Sequence, residues 1–130
     1  MTGAAVSQKV VIADDDPDIR ALVAISVGKA GMSLVAEVGD GDAAWDAIQK
    51  FVPDMVILDV AMPGKTGLEV CELVRADSSL DGVHILLLSA SADENSIANG
   101  LAAGAADYLS KPFSPRKLVA KLTEQFGGTE

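Results

Sequence analysis

At 130 residues and 13.3 kDa the chain has the length of one domain. Apolar residues make up 49% and charged residues 22%, which excludes a disordered tail and allows a real core. Nineteen acids against ten Lys and Arg leave a net charge of -9, which disfavours direct nucleic-acid binding, and the single Cys71 excludes a disulfide framework or a multi-thiolate metal site.

The first strand candidate, Val10-Val11-Ile12-Ala13, is a short β-branched run that stops at three aspartates. From Pro17 the period becomes helical, with Ile19, Leu22, Val23, Val27 and Ala30 on one face and Gly31 as the stop. Leu34 to Val38 is a weaker strand. Ala44, Ala47, Ile48 and Phe51 mark the second helix, closed by Pro53. Met55-Val56-Ile57-Leu58 is the next strand and ends at Asp59; beyond the Pro63-Gly64 turn, Val70, Leu73 and Val74 mark a third helix. Ile85 to Leu88 form a strand ending at Ser89, with His84 expected in the loop before it. A small-residue helix follows, with Ile97, Leu101 and Ala102 on its apolar face and Gly104 as its stop. Asp107 to Ser110 is a short strand ending at Lys111, and a last helix carries Leu118, Val119, Leu122 and Phe126. Residues 1–8 read as a tail, 9–126 as the domain, and 127–130 as a second tail or the start of a linker. No run approaches the about 18 apolar residues of a membrane span. Met1 to Gln8 lacks the basic and apolar blocks of a secretory leader, so a cytoplasmic location away from membranes is expected.

Continuous apolar strands alternating with helices point to an α/β fold, a three-layer sandwich around a parallel sheet. Ligands of such sheets sit beyond the carboxyl ends of the strands. There the sequence places Asp14-Asp15-Asp16, Asp59, Ser89 and Lys111. Clustered carboxylates repel unless a cation neutralises them, and magnesium prefers oxygen ligands. A lysine opposite them can pair with phosphate as a point charge.

Four blocks carry a resemblance to the receiver domain of the two-component response regulators. They are Val-Ile-Ala-Asp-Asp-Asp-Pro-Asp-Ile-Arg at 11–20, Pro-Asp-Met-Val-Ile-Leu-Asp-Val-Ala-Met-Pro-Gly at 53–64, Leu-Ser-Ala at 88–90 and Gly-Ala-Ala-Asp-Tyr-Leu-Ser-Lys-Pro-Phe at 104–113. The resemblance implies a flavodoxin-like sheet of order 2-1-3-4-5 flanked by five helices. It implies that Asp59 accepts a phosphoryl group, with Ser89 and Lys111 bonding that group. Mg2+ would be held by Asp14, Asp15, Asp59 and the backbone carbonyl of Ala61, and Ala61 and Ser91 would tune the lifetime of the acyl phosphate. The implied donor is a sensor histidine kinase or a histidine phosphotransfer protein. Ser89 and Tyr108 are the implied switch, the ring moving from exposed to buried. The signal would leave through the face of the fourth helix, fifth strand and fifth helix, to a second copy or an effector. Beyond this self-catalysed transfer and slow autodephosphorylation, no enzyme activity is expected.

Structural roles account for other residues. Asp16-Pro17 and Ser114-Pro115 read as N-caps followed by proline in the first turn. Cys71 reads as a small hydrophobe and Trp45 as a packing or surface residue. Two rival readings are a haloacid-dehalogenase-like phosphatase using Asp14 and a phosphorylation-independent scaffold. Asp18 stands where the phosphatase signature needs Thr or Val, and a flavodoxin's Ser/Thr/Gly-rich phosphate cradle is missing from the first turn.

Overall fold

The computed structural model describes residues 8–91 and 93–125; Phe126 and both tails lie outside them. Five strands alternate with five α-helices: β1 (Lys9–Ala13), α1 (Pro17–Lys29), β2 (Ser33–Val38), α2 (Gly41–Phe51), β3 (Met55–Asp59), α3 (Gly67–Arg75), β4 (His84–Ser89), α4 (Glu94–Ala102), β5 (Asp107–Ser110) and α5 (Pro115–Gln125). The sheet is parallel with the order β2-β1-β3-β4-β5.

The strands read as unbroken apolar runs because both of their faces are covered. Val10, Ile12, Met55, Ile57, Leu86 and Leu88 point to one side, onto Val23 and Val27 of α1 and Leu118 and Leu122 of α5. Val11, Ala13, Val56, Leu58, Ile85 and Leu87 point to the other, onto Ala44 and Ile48 of α2 and Val70, Cys71 and Val74 of α3. The chain thus winds to opposite faces on either side of β1. At that reversal, between the carboxyl ends of β1 and β3, side chains meet an open crevice rather than a crossing helix.

Helix ends follow the local chemistry. Asp16 Oδ1 accepts from the amides of Asp18 and Ile19, and Pro17 opens α1. The Ser114 hydroxyl accepts from Lys117 N–H at the start of α5. At α3, Thr66 and Glu69 form a reciprocal capping box. The other end of α2 is less comfortable, because Val52 takes a left-handed conformation with φ of 43°. A β-branched residue costs roughly 1–2 kcal/mol there. Val52 is exposed and stands before Pro53, so asparagine fits without loss of packing. Val52→Asn is expected to raise stability by about 0.5–1 kcal/mol in urea unfolding. An unchanged or lowered midpoint would contradict this account.

Two expectations need correction, and one element is added. His84 is the first residue of β4 rather than a loop residue; its N–H donates to Asp54 O (3.0 Å), which ties it to the β3 edge. A 3-10 turn at Ser78–Leu80, not foreseen, buries Leu80. The apolar face assigned to α4 is wrong in part: Leu101 and Ala102 are exposed, Ile97 is half-buried, and the one buried residue of the helix is Gly100. The helix backbone lies close to Leu87 and Tyr108, and a Cβ at position 100 would oblige them to give by a few tenths of an ångström. Cys71 and Trp45 pack as expected, Cys71 fully buried with its thiol pushed up to about 11 by that burial.

Candidate functional site

Asp14 is the first residue past β1 and is 0% exposed. Its amide donates to Val38 O (3.1 Å), and its Oδ1 accepts from Asp16 N–H (2.9 Å). Arg20, one turn into α1, donates from Nη1 to the Asp14 carbonyl oxygen at 2.8 Å. That leaves Asp14 Oδ2 aimed across the crevice, 3.0 Å from Lys111 Nζ. Asp15 is exposed at the mouth, while Asp16 is turned away as the cap of α1.

Asp59 closes β3 and is 4% exposed. The segment after it is pinned on two sides: Val60 N–H donates to Leu88 O, and Gly67 N–H donates to Val60 O, both at 2.9 Å. A Cβ at Gly67 would overlap the Asp59 carbonyl oxygen, so the start of α3 can approach the strand end only as glycine. Lys111, just past β5, donates its amide to Ser89 O (2.7 Å) and holds its ammonium 3.3 Å from Asp59 Oδ1.

Carboxylate oxygens of Asp14, Asp15 and Asp59 all lie within 4.8 Å of one another. The electrostatics reflect this crowding. Burial first, and then the Asp14 charge, push Asp59 up to about 6, against Lys111 and the Ala61 amide, which pull it down. Burial pulls Lys111 down, but its hydrogen bond to Asp14 and the Asp59 and Asp14 charges outweigh that and raise it. Oxygen-only donors around excess negative charge fit a hard divalent cation with one or two carboxylate ligands.

Ser89 is buried at the end of β4, and its Oγ accepts from Ser91 N–H (3.1 Å). Ala61 and Ser91 are both exposed at the rim. Tyr108 lies next to Ser91. Its ring is already half-buried against the core, and its hydroxyl donates to Ser91 O at 2.7 Å. Beside it a cavity of about 100 Å³ is lined by Ser89, Ser91, Asn99, Leu68 and Tyr108, among others. The structure therefore brings together Asp14, Asp15, Asp59 and Lys111, with Ser89 on the neighbouring strand end. Two residues given no role from sequence support it: Arg20 holds the Asp14 carbonyl, and Gly67 bonds Val60 O and lets α3 approach the end of β3. A basic residue one helical turn after an acidic strand end was the available signal for Arg20.

Known proteins share this arrangement of strands. The family described as the response regulator receiver domain matches residues 10–123. The DNA-binding response regulator MtrA of Mycolicibacterium smegmatis is 40% identical over 115 residues, 88% of this chain and 49% of that protein. The phosphate regulon transcriptional regulatory protein PhoB of Pseudomonas aeruginosa is 35% identical over 117 residues, 90% of this chain and 51% of that protein. The chain spans about half the length of these curated relatives. Among solved structures, the chemotaxis response regulator CheY4 of Vibrio cholerae matches with a TM-score of 0.85 at 34% identity, over 92% of this chain and 98% of that one. The BeF3-activated receiver domain of Klebsiella pneumoniae RstA matches with a TM-score of 0.79 at 34% identity, over 89% of this chain and 96% of that one. Nothing in these matches supports the dehalogenase-like phosphatase. By family match, relatives and fold, the chain belongs to the response regulator receiver domain family of two-component signalling.

Proposed function

We propose that Asp59 is the phosphoacceptor of this receiver, taking its phosphoryl group from the phosphohistidine of a histidine kinase or histidine phosphotransfer protein. One observation carries the reading: a buried carboxylate at the central strand end faces an ammonium at 3.3 Å, inside a cluster of two further carboxylates. An Asp59 oxygen would attack phosphorus as the phosphorus–nitrogen bond of the donor breaks, the electron pair returning to the imidazole. Such transfers need positioning and charge neutralisation more than covalent help. Lys111 sits where it can pair with a phosphoryl oxygen, and the Ser89 hydroxyl is free to turn and donate to another. Asp14, Asp15, Asp59 and the Ala61 carbonyl would hold Mg2+, which when bound offsets the charge gathered between carboxylate and phosphoryl oxygens. We take residues 9–126 as the working unit, acting in the cytoplasm. Its acidic surface disfavours nucleic acid, so we assign its output to a partner change, to a second copy or an effector, at the α4–β5–α5 face.

The test is labelling by acetyl phosphate with magnesium. Modification is expected at Asp59 alone and is expected to vanish in Asp59→Asn with the fold intact. Label that persists in that variant, or that maps to Asp14, would overturn the assignment. Full partner binding at the α4–β5–α5 face by unlabelled protein would favour the scaffold reading instead.

A second expectation concerns the cation. Asp15→Ala removes the exposed ligand at the mouth while leaving the buried Asp14–Lys111 pair in place. Magnesium affinity, followed by amide shifts, is expected to fall at least tenfold, and labelling to fall with it. Undiminished labelling in excess chelator would show that the cluster is no metal site.

A further inference from the structure

We infer that Gly41 is a positioning residue for the site: packed against the loop between β3 and α3, it fixes the backbone of Ala61 beside Asp59. The inference deepens the proposed function, since what Ala61 does for a cation rests on that reading. Gly41 is the first residue of α2 and is buried. Its amide, one of those that a helix start leaves without an intrahelical partner, donates to Pro63 O at 3.0 Å. A Cβ built on Gly41 would overlap the carbonyl carbon and oxygen of Lys65, which are backbone and cannot turn aside. Residues 63–65 therefore lie directly on the backbone of α2, and beside them the Lys65 ammonium pairs with the Asp42 carboxylate.

The same loop is closed at its base, where Val60 N–H donates to Leu88 O and Gly67 N–H donates to Val60 O. Only Ala61 and Met62 lie between that base and the part seated on Gly41. Met62 is buried in the core, and the Ala61 amide bonds the Asp59 carboxylate. Two residues strung between two fixed ends have little freedom, so a change at the seat is felt at Ala61. A side chain at position 41 must push the Lys65 peptide outward. The displacement runs back through Pro63, whose ring fixes its φ, to Met62 and Ala61. Glycine weakens a helix relative to alanine, and its presence in the first turn of α2 is explained by this close approach.

The test is NMR on the full chain, first without metal. In Gly41→Ala the Ala61 and Met62 amides are expected to shift and to exchange with solvent roughly tenfold faster. The Asp14 and Lys111 amides, held by Val38 O and Ser89 O, are expected to stay as they are. Magnesium affinity is expected to fall about tenfold, as when a group that orients a metal ligand is lost. Val27→Ala, a truncation in the core on the opposite face of the sheet, is the control for lost stability alone. There magnesium affinity is expected to stay within about twofold of the wild type. Ala61 and Met62 amides unmoved in Gly41→Ala would overturn the inference, and so would an equal loss of magnesium affinity in both variants. If Gly41→Ala does not fold, the Asp42–Lys65 pair decides, since both side chains reach solvent and tolerate exchange. Asp42→Lys sets like charges against each other and is expected to loosen the same two amides, and adding Lys65→Asp is expected to restore them. No loosening, or no restoration, would overturn the inference. If the wild type binds no magnesium, the cation part of the proposed function fails, and the seat is judged on the metal-free amides.

Discussion

Lys111→Ala is expected to lower the stability of the metal-free protein by about 3 kcal/mol at pH 7.5 and to recover most of that loss near pH 5 or on addition of magnesium. The Lys111 ammonium lies 3.0 Å from Asp14 Oδ2 and 3.3 Å from Asp59 Oδ1, and it is the cation found paired with either carboxylate among the described residues. Asp14 has no exposed surface at all. Removing one partner of a buried pair costs about 3–5 kcal/mol because the other charge is stranded. The lower end applies here, since the Lys111 side chain is 20% exposed and water can follow it in. The sign with pH follows from Asp59. Already pushed up to about 6 with the ammonium beside it, its carboxyl is expected to rise further when that charge is gone. Falling pH then protonates the folded state first and relieves the repulsion. Urea unfolding at both pH values, in chelator and in magnesium, checks this. An equal loss under all conditions would show that Lys111 acts through the packing of its stem rather than its charge.

Much of this site was legible in the sequence because its residues follow strand ends. A run such as Met55 to Leu58 has one reading, a strand buried on both faces, and its last residue must then stand at the sheet edge. Asp14, Asp59, Ser89 and Lys111 were found that way. The neighbours of each strand could not be found that way, because apolar runs of similar character do not encode which of them pair; the order 2-1-3-4-5 came from family resemblance alone. Backbone partners were also out of reach. A basic residue one turn past the strand end points to Arg20 without giving the Asp14 carbonyl as its partner, and nothing local shows that α3 would close on Asp59 through Gly67.

The fourth helix failed for a different reason. Hydrophobic periodicity finds a buried face by its large side chains, and here the buried position is occupied by a residue with none. The Tyr108 ring lies beside the same glycine, so one missing side chain hid both the packing of α4 and its contact with the ring. Sites of this kind escape pattern reading because the signal is a close approach of backbone, which only the assembled fold reveals.

Asp59→Asn is expected to stabilise the metal-free protein by about 1–2 kcal/mol at pH 7.5 and to give no gain at pH 4. The Asp59 carboxyl is pushed up to about 6 from an ordinary 3.8, first by burial and then by the Asp14 charge. Between those two values the folded state holds a proton that the unfolded chain has lost, so stability falls as pH rises through the window. Above about 6 the whole penalty is present; a shift of two units corresponds to about 3 kcal/mol, reduced here by screening at the open mouth of the crevice. Asparagine keeps the shape and one oxygen for Lys111 but carries no charge to desolvate. Wild-type stability in chelator is therefore expected to decline from pH 4 to 7, while the Asp59→Asn curve stays nearly flat. Parallel curves would falsify the account. The same penalty explains why the site should take up a divalent cation: an ion that neutralises Asp59 removes a strain that the fold bears at neutral pH, so magnesium is expected to stabilise the wild type more than the variant.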